Sequence, residues 1–391
     1  MPKMNVPESS IDLFAEEALL DPFSRYKELR DLGPVVWFPQ YEMFVLSRYQ
    51  HVREAMRNWQ VFSSAEGVMM NQPMNETLKG IVLCSDDPEH AALRRVVAKP
   101  LTPQAIQVLS DQIKSEAEAL VDRLVVRKSF DAATELAQHL PISIVSNLVG
   151  LPDEGRERML EWAAANFQCF GPLNDRTKHA FITVKEMVDY AFTKCVPGKL
   201  KPGGWAQMIW DAAERGEISK EKPPLMMNDY MGPSLDTTIF ATSSAIWLFA
   251  QHPEQWDLLR NDPSLIPGAI NEVVRLESPL QCFSRFTTQE HAFEGITIPA
   301  NSRTIVLWGS ANRDERKWEH PDRFDIRRRN GDHLGFGHGV HMCVGLHLAK
   351  MEISALLRAL IRRVRRFELG ATRRVINNVM RGFDRVEVTV R

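Results

Sequence analysis

The sequence has little that would place it in a membrane or an oxidising compartment. None of its apolar runs approaches the roughly 20 residues that cross a bilayer, and the opening stretch MPKMNVPESSIDLF lacks the basic and apolar regions of a signal peptide. Repeats and low-complexity tracts are absent, and the nearest break is the basic loop PGKLKPGG at 197–204. We therefore expect a cytoplasmic protein without membrane association, with a single domain over residues 1–391.

Neither sign of charge dominates, and cysteine is scarce. With 48 basic and 50 acidic residues, no overall field favours nucleic acid. The 5 cysteines are odd in number and scattered, which fits reduced thiols rather than a disulfide framework. There is no four-cysteine cluster spacing and no Gly-x-Gly-x-x-Gly between a strand and a helix. We therefore expect no iron–sulfur cluster and no flavin in this chain.

Periodicity predicts a mainly helical α+β fold with small sheets. Aromatic and β-branched residues at 35–48 predict a hairpin, in a β-rich part at about 30–60. Helical spacing dominates elsewhere, and we place a helical core at about 85–370. The segment 224–251 predicts one central helix, about 40 Å long at about 1.5 Å per residue.

Cys343 lies in the stretch GFGHGVHMCVGLHLAK, residues 335–350, just before a predicted helix. Free N–H groups and the helix dipole at that end favour an anion, so they hold the sulfur as a thiolate, which is a ligand for a soft metal. Gly337 permits a close approach to a flat ligand, while Phe336 shields the sulfur from water. For an isolated cysteine, the alternative is a buried structural thiol in a glycine-rich turn.

Phe336, Gly337, His341, Cys343 and Gly345 together resemble the haem-binding signature of the cytochromes P450, the haem-thiolate monooxygenases. The resemblance extends over nearly the whole chain. It implies a helix-rich triangular single-domain fold and a haem b (iron protoporphyrin IX) ligated by Cys343. It also implies a monooxygenase that uses O2 and receives electrons from a separate ferredoxin and ferredoxin reductase.

Two groups of charged residues match further family motifs. Glu272 and Arg275 resemble the E-x-x-R pair, and Arg323 in HPDRFD matches the residue that completes this structural triad. Taken alone, such a pair is more often a surface ion pair. The residues that match the family's contacts to the haem propionates are His90, Arg94, Arg285 and His341. Each of these, taken singly, is more often merely solvated.

The segment GPSLDTT, residues 232–238, resembles the family's oxygen-activation motif. The resemblance implies that Asp236 and Thr237 bring protons to oxygen at the haem, in an otherwise apolar pocket. Pro233 departs from the pattern, because a proline inside a helix removes one N–H and collides with the carbonyl four residues earlier. We therefore expect a kink or an opened turn at about 229–233. The alternative is that the proline simply begins a new helix.

The fold implied by the resemblance also assigns an apolar substrate pocket. Its predicted lining residues are Val68, Met69, Met70, Ile81, Phe167, Phe170, Gly232, Pro233, Leu280, Phe283 and Phe383. A stripe of Met or Phe on a helix is more often core than pocket, which is the competing interpretation of each of these residues.

Three segments, 236–285, GSANRDER at 309–316 and NNVMRGF at 377–383, look most like the bacterial branch that demethylates methoxylated aromatics. Where benzoate-oxidising members carry basic and hydroxyl residues, this chain has Asn228, Asp229, Gly232 and Pro233. We therefore expect O-demethylation of a small aromatic substrate, a guaiacol-like methoxyphenol. The alternatives are hydroxylation of a terpenoid or other compact hydrophobe, an enzyme driven by peroxide, and a non-catalytic haem sensor or electron carrier.

The resemblance also suggests where the electron donor binds. We expect it on the side of the cysteine loop, where Arg94, Arg95 and Lys350 offer basic contacts to an acidic partner.

Overall fold

The computed structural model describes residues 6–391. The α-helices are α1 (Glu16–Leu20), α2 (Phe23–Leu32), α3 (Tyr49–Arg57), α4 (Gln72–Thr77), α5 (Glu89–Ala98), α6 (Pro103–Gln107), α7 (Ser110–Arg127), α8 (Ser146–Val149), α9 (Met159–Gln168), α10 (Asp175–Thr193), α11 (Trp205–Glu214), α12 (Lys222–Met226), α13 (Asn228–Met231), α14 (Asp236–Gln251), α15 (Pro253–Asn261), α16 (Ile266–Glu277), α17 (Trp308–Ala311) and α18 (Leu346–Arg363). Shorter segments of tighter or wider helix are Val82–Cys84, Lys99–Leu101, Ala132–Ala137, Pro141–Val145, Arg156–Arg158, Pro263–Leu265 and Gly339–His341.

The strands form three small sheets around this helical body. They are β1 (Val36–Phe38), β2 (Met43–Leu46), β3 (Phe62–Ser63), β4 (Ser129–Asp131), β5 (Phe283–Thr287), β6 (His291–Phe293), β7 (Ile296–Ile298), β8 (Arg303–Val306), β9 (Phe367–Arg374) and β10 (Phe383–Val390). The first sheet has the order β1-β2-β8-β5-β3, the second β4-β10-β9, and β6 pairs with β7. β2 and β8 are parallel, whereas the other pairings are antiparallel.

The N-terminal hairpin is present, but the β-rich part is shorter than predicted. β1 and β2 pair antiparallel, with Val36 opposite Val45 and Phe38 opposite Met43. The remainder of the predicted 30–60 segment is mostly the helix α3, whose buried face repeats at helical spacing. The sheet is completed by β3 and by β5 and β8, which come from much later in the chain, so local sequence does not indicate that these strands pair with the hairpin.

The central segment is not the single helix predicted over 224–251. It forms α12 and α13, an opened turn at 232–235, and then α14. The last regular bond before the opening runs from the Gly232 N–H to the Asn228 carbonyl at 3.0 Å. Pro233 has no N–H to donate, and the Ser234 hydroxyl donates to the Tyr230 carbonyl instead. The opened turn predicted at 229–233 is therefore present, but shifted toward the C-terminus.

α14 lies at the centre of the molecule. Most of its residues are buried, and α16, α18, β9 and β10 contact it. This arrangement confirms the predicted fold class, a mainly helical α+β protein with small sheets. Within residues 6–391, no helix combines the length and the apolar character needed to cross a membrane. The single-domain extent 1–391 remains a prediction.

A buried ion cluster joins α16 to the loop that leads toward the cysteine. Glu272 and Arg275 have no exposed surface, and the two Arg275 nitrogens lie 2.8 and 2.9 Å from the carboxylate oxygens. The second cation on Glu272 is Arg328, whose Nε lies 2.9 Å from Oε1. The prediction that Arg323 completes this triad is wrong. The loop turns the Arg323 side chain to solvent, and only its backbone carbonyl, which accepts from Arg328, joins the cluster.

Candidate active site

A glycine-containing loop positions Cys343 just before the N-terminus of α18. The Cys343 N–H donates to the Phe336 carbonyl at 2.8 Å, which closes the loop. Gly337 and Gly339 have φ values of 77° and 72°, a region that disfavours residues with a side chain. A Cβ at Gly339 would also lie 2.6 Å from the Met56 carbonyl oxygen, so this loop approaches α3 closely. The result is a fixed cysteine whose side chain lines an internal cavity and is exposed to it.

The sulfur of Cys343 receives opposing electrostatic influences. Burial raises the pKa of the thiol, because low-dielectric surroundings disfavour the thiolate. The N–H groups of Gly345 and Leu346 at the start of α18 and the nearby Arg94 guanidinium act in the other direction and lower the pKa. A metal cation at the sulfur would add to this lowering, since a coordinating thiol loses its proton.

Basic groups gather at one edge of the cavity, where Arg94, Arg285 and His341 line it and His90 packs beside His341. The rings of His90 and His341 lie 4.3 Å apart, and the Nε2 atom of each is buried without a hydrogen-bond partner in residues 6–391. Burial lowers the pKa of both imidazoles. Arg285 is buried beside them, and burial lowers its pKa to about 10. Arg94 bonds to the Met342 carbonyl. An anion at this edge would partner the free nitrogens and favour protonated imidazoles.

The opposite wall of the cavity comes from the opened turn and the start of α14. Thr237 lines the cavity, and its Oγ1 donates to the Pro233 carbonyl at 3.1 Å, which leaves the oxygen lone pairs available to accept. Asp236 is buried beside it, with Oδ2 unpartnered in the part of the chain that the structure describes. Burial raises the pKa of this carboxyl to about 7. Asp236 itself is not among the cavity-lining residues.

Most of the predicted pocket residues reach the cavity. Those that line it are Ile81, Phe167, Phe170, Pro233, Leu280 and Phe283. The predictions for Val68, Met69, Met70, Gly232 and Phe383 are wrong, because these residues are packed in the core behind it. Phe383 instead packs on Trp247, with ring centroids 5.1 Å apart, and lies under the guanidinium of Arg374.

The cavity also contains polar residues that the sequence analysis did not assign to it. Asn166 falls on the buried stripe of α9, which is formed by Met159, Trp162, Ala163 and Phe167. A polar residue on an otherwise apolar stripe is the sequence signal that identifies it. Glu352 on α18 lines the cavity as well, and burial raises its pKa to about 8.

These observations test whether the site fits a haem. One sulfur lies on the side of α18, and the α14 wall and the aromatic residues are largely apolar. One edge offers imidazole nitrogens without partners in residues 6–391, together with the guanidinium groups of Arg94 and Arg285. Haem iron needs an axial ligand, which a thiolate can supply, and the two propionates need cations or strong donors at one edge. The residues fit: Cys343 would ligate the iron, and Arg94, Arg285 and His341 line the edge suited to the propionates, with His90 against the His341 ring. The fold and this site define a haem-thiolate enzyme.

Comparison with known proteins identifies the family. A family model described as Cytochrome P450 matches residues 21–195 and 206–379. The chain is 36% identical to cytochrome P450 CYP199A2 of Rhodopseudomonas palustris over 388 residues, covering 98% of this chain and 94% of that protein. It is 28% identical to a steroid C26-monooxygenase of Rhodococcus jostii, covering 98% and 85% of the two chains.

A solved structure agrees with this assignment. The fold is similar to that of P450BioI in complex with an acyl carrier protein ligated to hexadec-9Z-enoic acid, with a TM-score of 0.86, 25% identity and coverage of 96% of this chain and 99% of that chain. The protein belongs to the cytochrome P450 family and is a haem-dependent monooxygenase.

Proposed function

We propose that this cytochrome P450 removes the methyl group from a small methoxylated aromatic, a guaiacol-like methoxyphenol. The observation that carries the proposal is a run of aromatic rings along the cavity. Phe167 and Phe170 have ring centroids 5.4 Å apart, Phe170 and Phe283 are also 5.4 Å apart, and Phe283 meets Trp308 edge-on at 5.2 Å. All four rings line the cavity that Cys343 enters. Such a wall favours a flat aryl ring through offset and edge-to-face contacts.

A carboxyl group in the cavity wall, that of Asp229, favours a neutral aromatic ring over a benzoate as the substrate. Asp229 is buried, lines the cavity and accepts from the Val82 N–H at 3.3 Å. Burial raises the pKa of its carboxyl to about 7. A substrate carboxylate close to this group would have to share a low-dielectric space with a second acid. A neutral phenol avoids that repulsion.

The overall reaction is balanced by one molecule of O2 and two electrons. When bound, the haem supplies O2 activation and insertion of one oxygen atom at the methyl carbon. The resulting aryl hemiacetal breaks its carbon–oxygen bond, so that ArOCH3, O2, two protons and two electrons become ArOH, formaldehyde and water. The buried Asp236, with a pKa of about 7, is suited to exchanging protons near neutral pH. Thr237 presents its hydroxyl oxygen to the cavity, where it can hold a water or pass on a proton.

We also propose that the electrons come from a ferredoxin and its reductase, with no flavin or iron–sulfur cluster in this chain. The docking face includes the exposed Arg95, the half-buried Lys350 and Met342, whose side chain is 45% exposed. Lys350 lies 5.2 Å from the centre of the Phe336 ring, next to the cysteine loop. An acidic partner at this face would therefore be close to the sulfur side of the haem.

The test uses the haem-loaded protein with a ferredoxin, a reductase and NAD(P)H. Guaiacol should displace the water on the iron, seen as a spin-state change in the visible spectrum, and should yield one formaldehyde per catechol. The matched control is 2-ethylphenol, which has a similar size but no ether oxygen and therefore releases no formaldehyde.

Each of the other outcomes is decisive. A spin-state change with compact terpenes but not with methoxyarenes would overturn the proposal in favour of a terpenoid hydroxylase. Tight guaiacol binding with no electron consumption would favour a sensor. Formaldehyde formed with peroxide but not with NAD(P)H, the ferredoxin and the reductase would contradict the proposed electron partners.

A further inference from the structure

Two asparagines of the cavity are buried without the hydrogen bonds that such groups normally make. Asn166 on α9 is 1% exposed and Asn228 on α13 is 8% exposed. Both line the cavity, and the Oδ1 atom of each has no hydrogen-bond partner within residues 6–391. Buried side-chain amides are usually paired, since leaving one unpaired is unfavourable.

Other buried asparagines in the same region are paired. Asn71 accepts from the Met74 N–H at 3.0 Å and donates to the carbonyls of Cys169 and Gly171. Asn378 donates to the Gln168 carbonyl at 2.8 Å and to the Thr177 hydroxyl at 2.9 Å. Buried asparagines near the cavity can therefore find partners, whereas Asn166 and Asn228, which line it, leave Oδ1 without one in the described residues.

The opened turn makes room for the Asn166 amide. Gly232 lies against it, and a Cβ at that position would be 2.5 Å from Asn166 Nδ2. Any side chain at residue 232 would thus displace the amide. Asn166 and Phe167 of the aromatic wall both line the cavity, so a ring bound there can meet the wall and the amide together.

We infer that Asn166, together with Asn228, binds the hydroxyl group of the substrate and thereby selects hydroxylated arenes over ligands of equal size that lack the hydroxyl. This inference rests on the proposed function and adds the residues that determine specificity. A phenol hydroxyl both donates and accepts, so it pairs with an amide in either of its two flipped orientations. A carboxylate only accepts, and it would also approach Asp229, which lines the same cavity.

The experiment compares two ligands in the haem-loaded protein by calorimetric and spin-state titration. The ligands are guaiacol and 2-methylanisole, in which a methyl group replaces the hydroxyl. We expect the wild-type protein to bind guaiacol at least about tenfold more tightly. Asn166→Leu should bring the ratio of the two dissociation constants, that of 2-methylanisole over that of guaiacol, to near one without weakening 2-methylanisole binding. Gly232→Ala, which displaces the amide but keeps it, should reduce the ratio as well.

The matched control is Asn271→Leu. Asn271 on α16 also has a buried Oδ1 without a partner in the described chain, but it does not line this cavity, so the ratio should stay at the wild-type value. If Asn166→Leu does not retain haem, then Asn166→Ala and Asn228→Leu provide the same comparison.

The outcomes separate this inference from the proposed function. A wild-type ratio near one, which means that only water pairs with the amides, would overturn the inference. So would a ratio that survives in Asn166→Leu. Formaldehyde released from guaiacol with either of these results leaves the proposed function standing. A ratio that depends on Asn166 without any formaldehyde would overturn the proposed function alone.

Discussion

Replacing Arg328 with alanine tests the buried ion cluster that holds α16 against the loop before Cys343. Arg328 is partly buried, whereas Glu272 beneath it has no exposed surface. The substitution removes the bond from Arg328 Nε to the Glu272 carboxylate at 2.9 Å. It also frees three backbone carbonyls, which lie at the exposed surface and recover water. The main cost is therefore a buried carboxylate with one cation instead of two.

The expected loss of stability in Arg328→Ala depends on the partners that the Glu272 carboxylate keeps. Breaking a buried ion pair costs about 3–5 kcal/mol when the charge is left alone. Arg275 still bonds both oxygens of this carboxylate, so we expect the lower end, about 3 kcal/mol. For 391 residues, with an unfolding entropy of about 2.1 cal/mol/K per residue, that corresponds to a Tm lower by about 4 °C.

The assay is thermal and urea unfolding of haem-loaded wild type, Arg328→Ala and the matched control Arg323→Ala. The Arg323 side chain is exposed, so its removal should change stability by less than about 0.5 kcal/mol. Equal destabilisation by the two variants, or a larger effect of Arg323→Ala, would refute the assignment of Arg328 to the cluster.

Three further predictions concern the cavity. His341→Phe should speed haem transfer to apomyoglobin about tenfold, because the unpartnered Nε2 is lost, while the exposed His347→Phe should not. Asp229, with a pKa of about 7 against an ordinary 3.8, keeps a proton that the unfolded chain releases, so stability falls as pH rises through this window. The stability of Asp229→Asn relative to wild type should therefore increase from pH 4 to 7 and stay constant above pH 7. Urea unfolding across this range measures the difference, and a difference that does not change with pH would contradict the prediction. Thr237→Ala should raise the NAD(P)H consumed per formaldehyde severalfold, and unchanged coupling would exclude a role for its hydroxyl in proton transfer.

Much of the fold could be predicted from the sequence because its signals are local. The hairpin of β1 and β2 follows from aromatic and β-branched residues around a turn. The opened turn follows from Pro233, since a missing N–H acts on the residues next to it whatever surrounds the helix. The loop around Cys343 could also be predicted from local signals, because its glycines and the start of α18 are adjacent in the chain.

The contents of the cavity depended on long-range packing. Asn166 and Gly232 are distant in sequence, and only the packing of α9 against the opened turn makes the amide a feature of the pocket. Phe383 was assigned to the pocket from its position along the chain, but the register of β10 places it on Trp247.

The sequence by itself determined the helical class, the glycine-containing loop around Cys343 and the interrupted central helix. The tertiary structure decided that Arg328, and not Arg323, reaches Glu272, and which polar groups face the cavity. The physical reason is that backbone conformation responds to neighbouring residues, whereas the partner of a buried charge or amide depends on which distant segments pack around it.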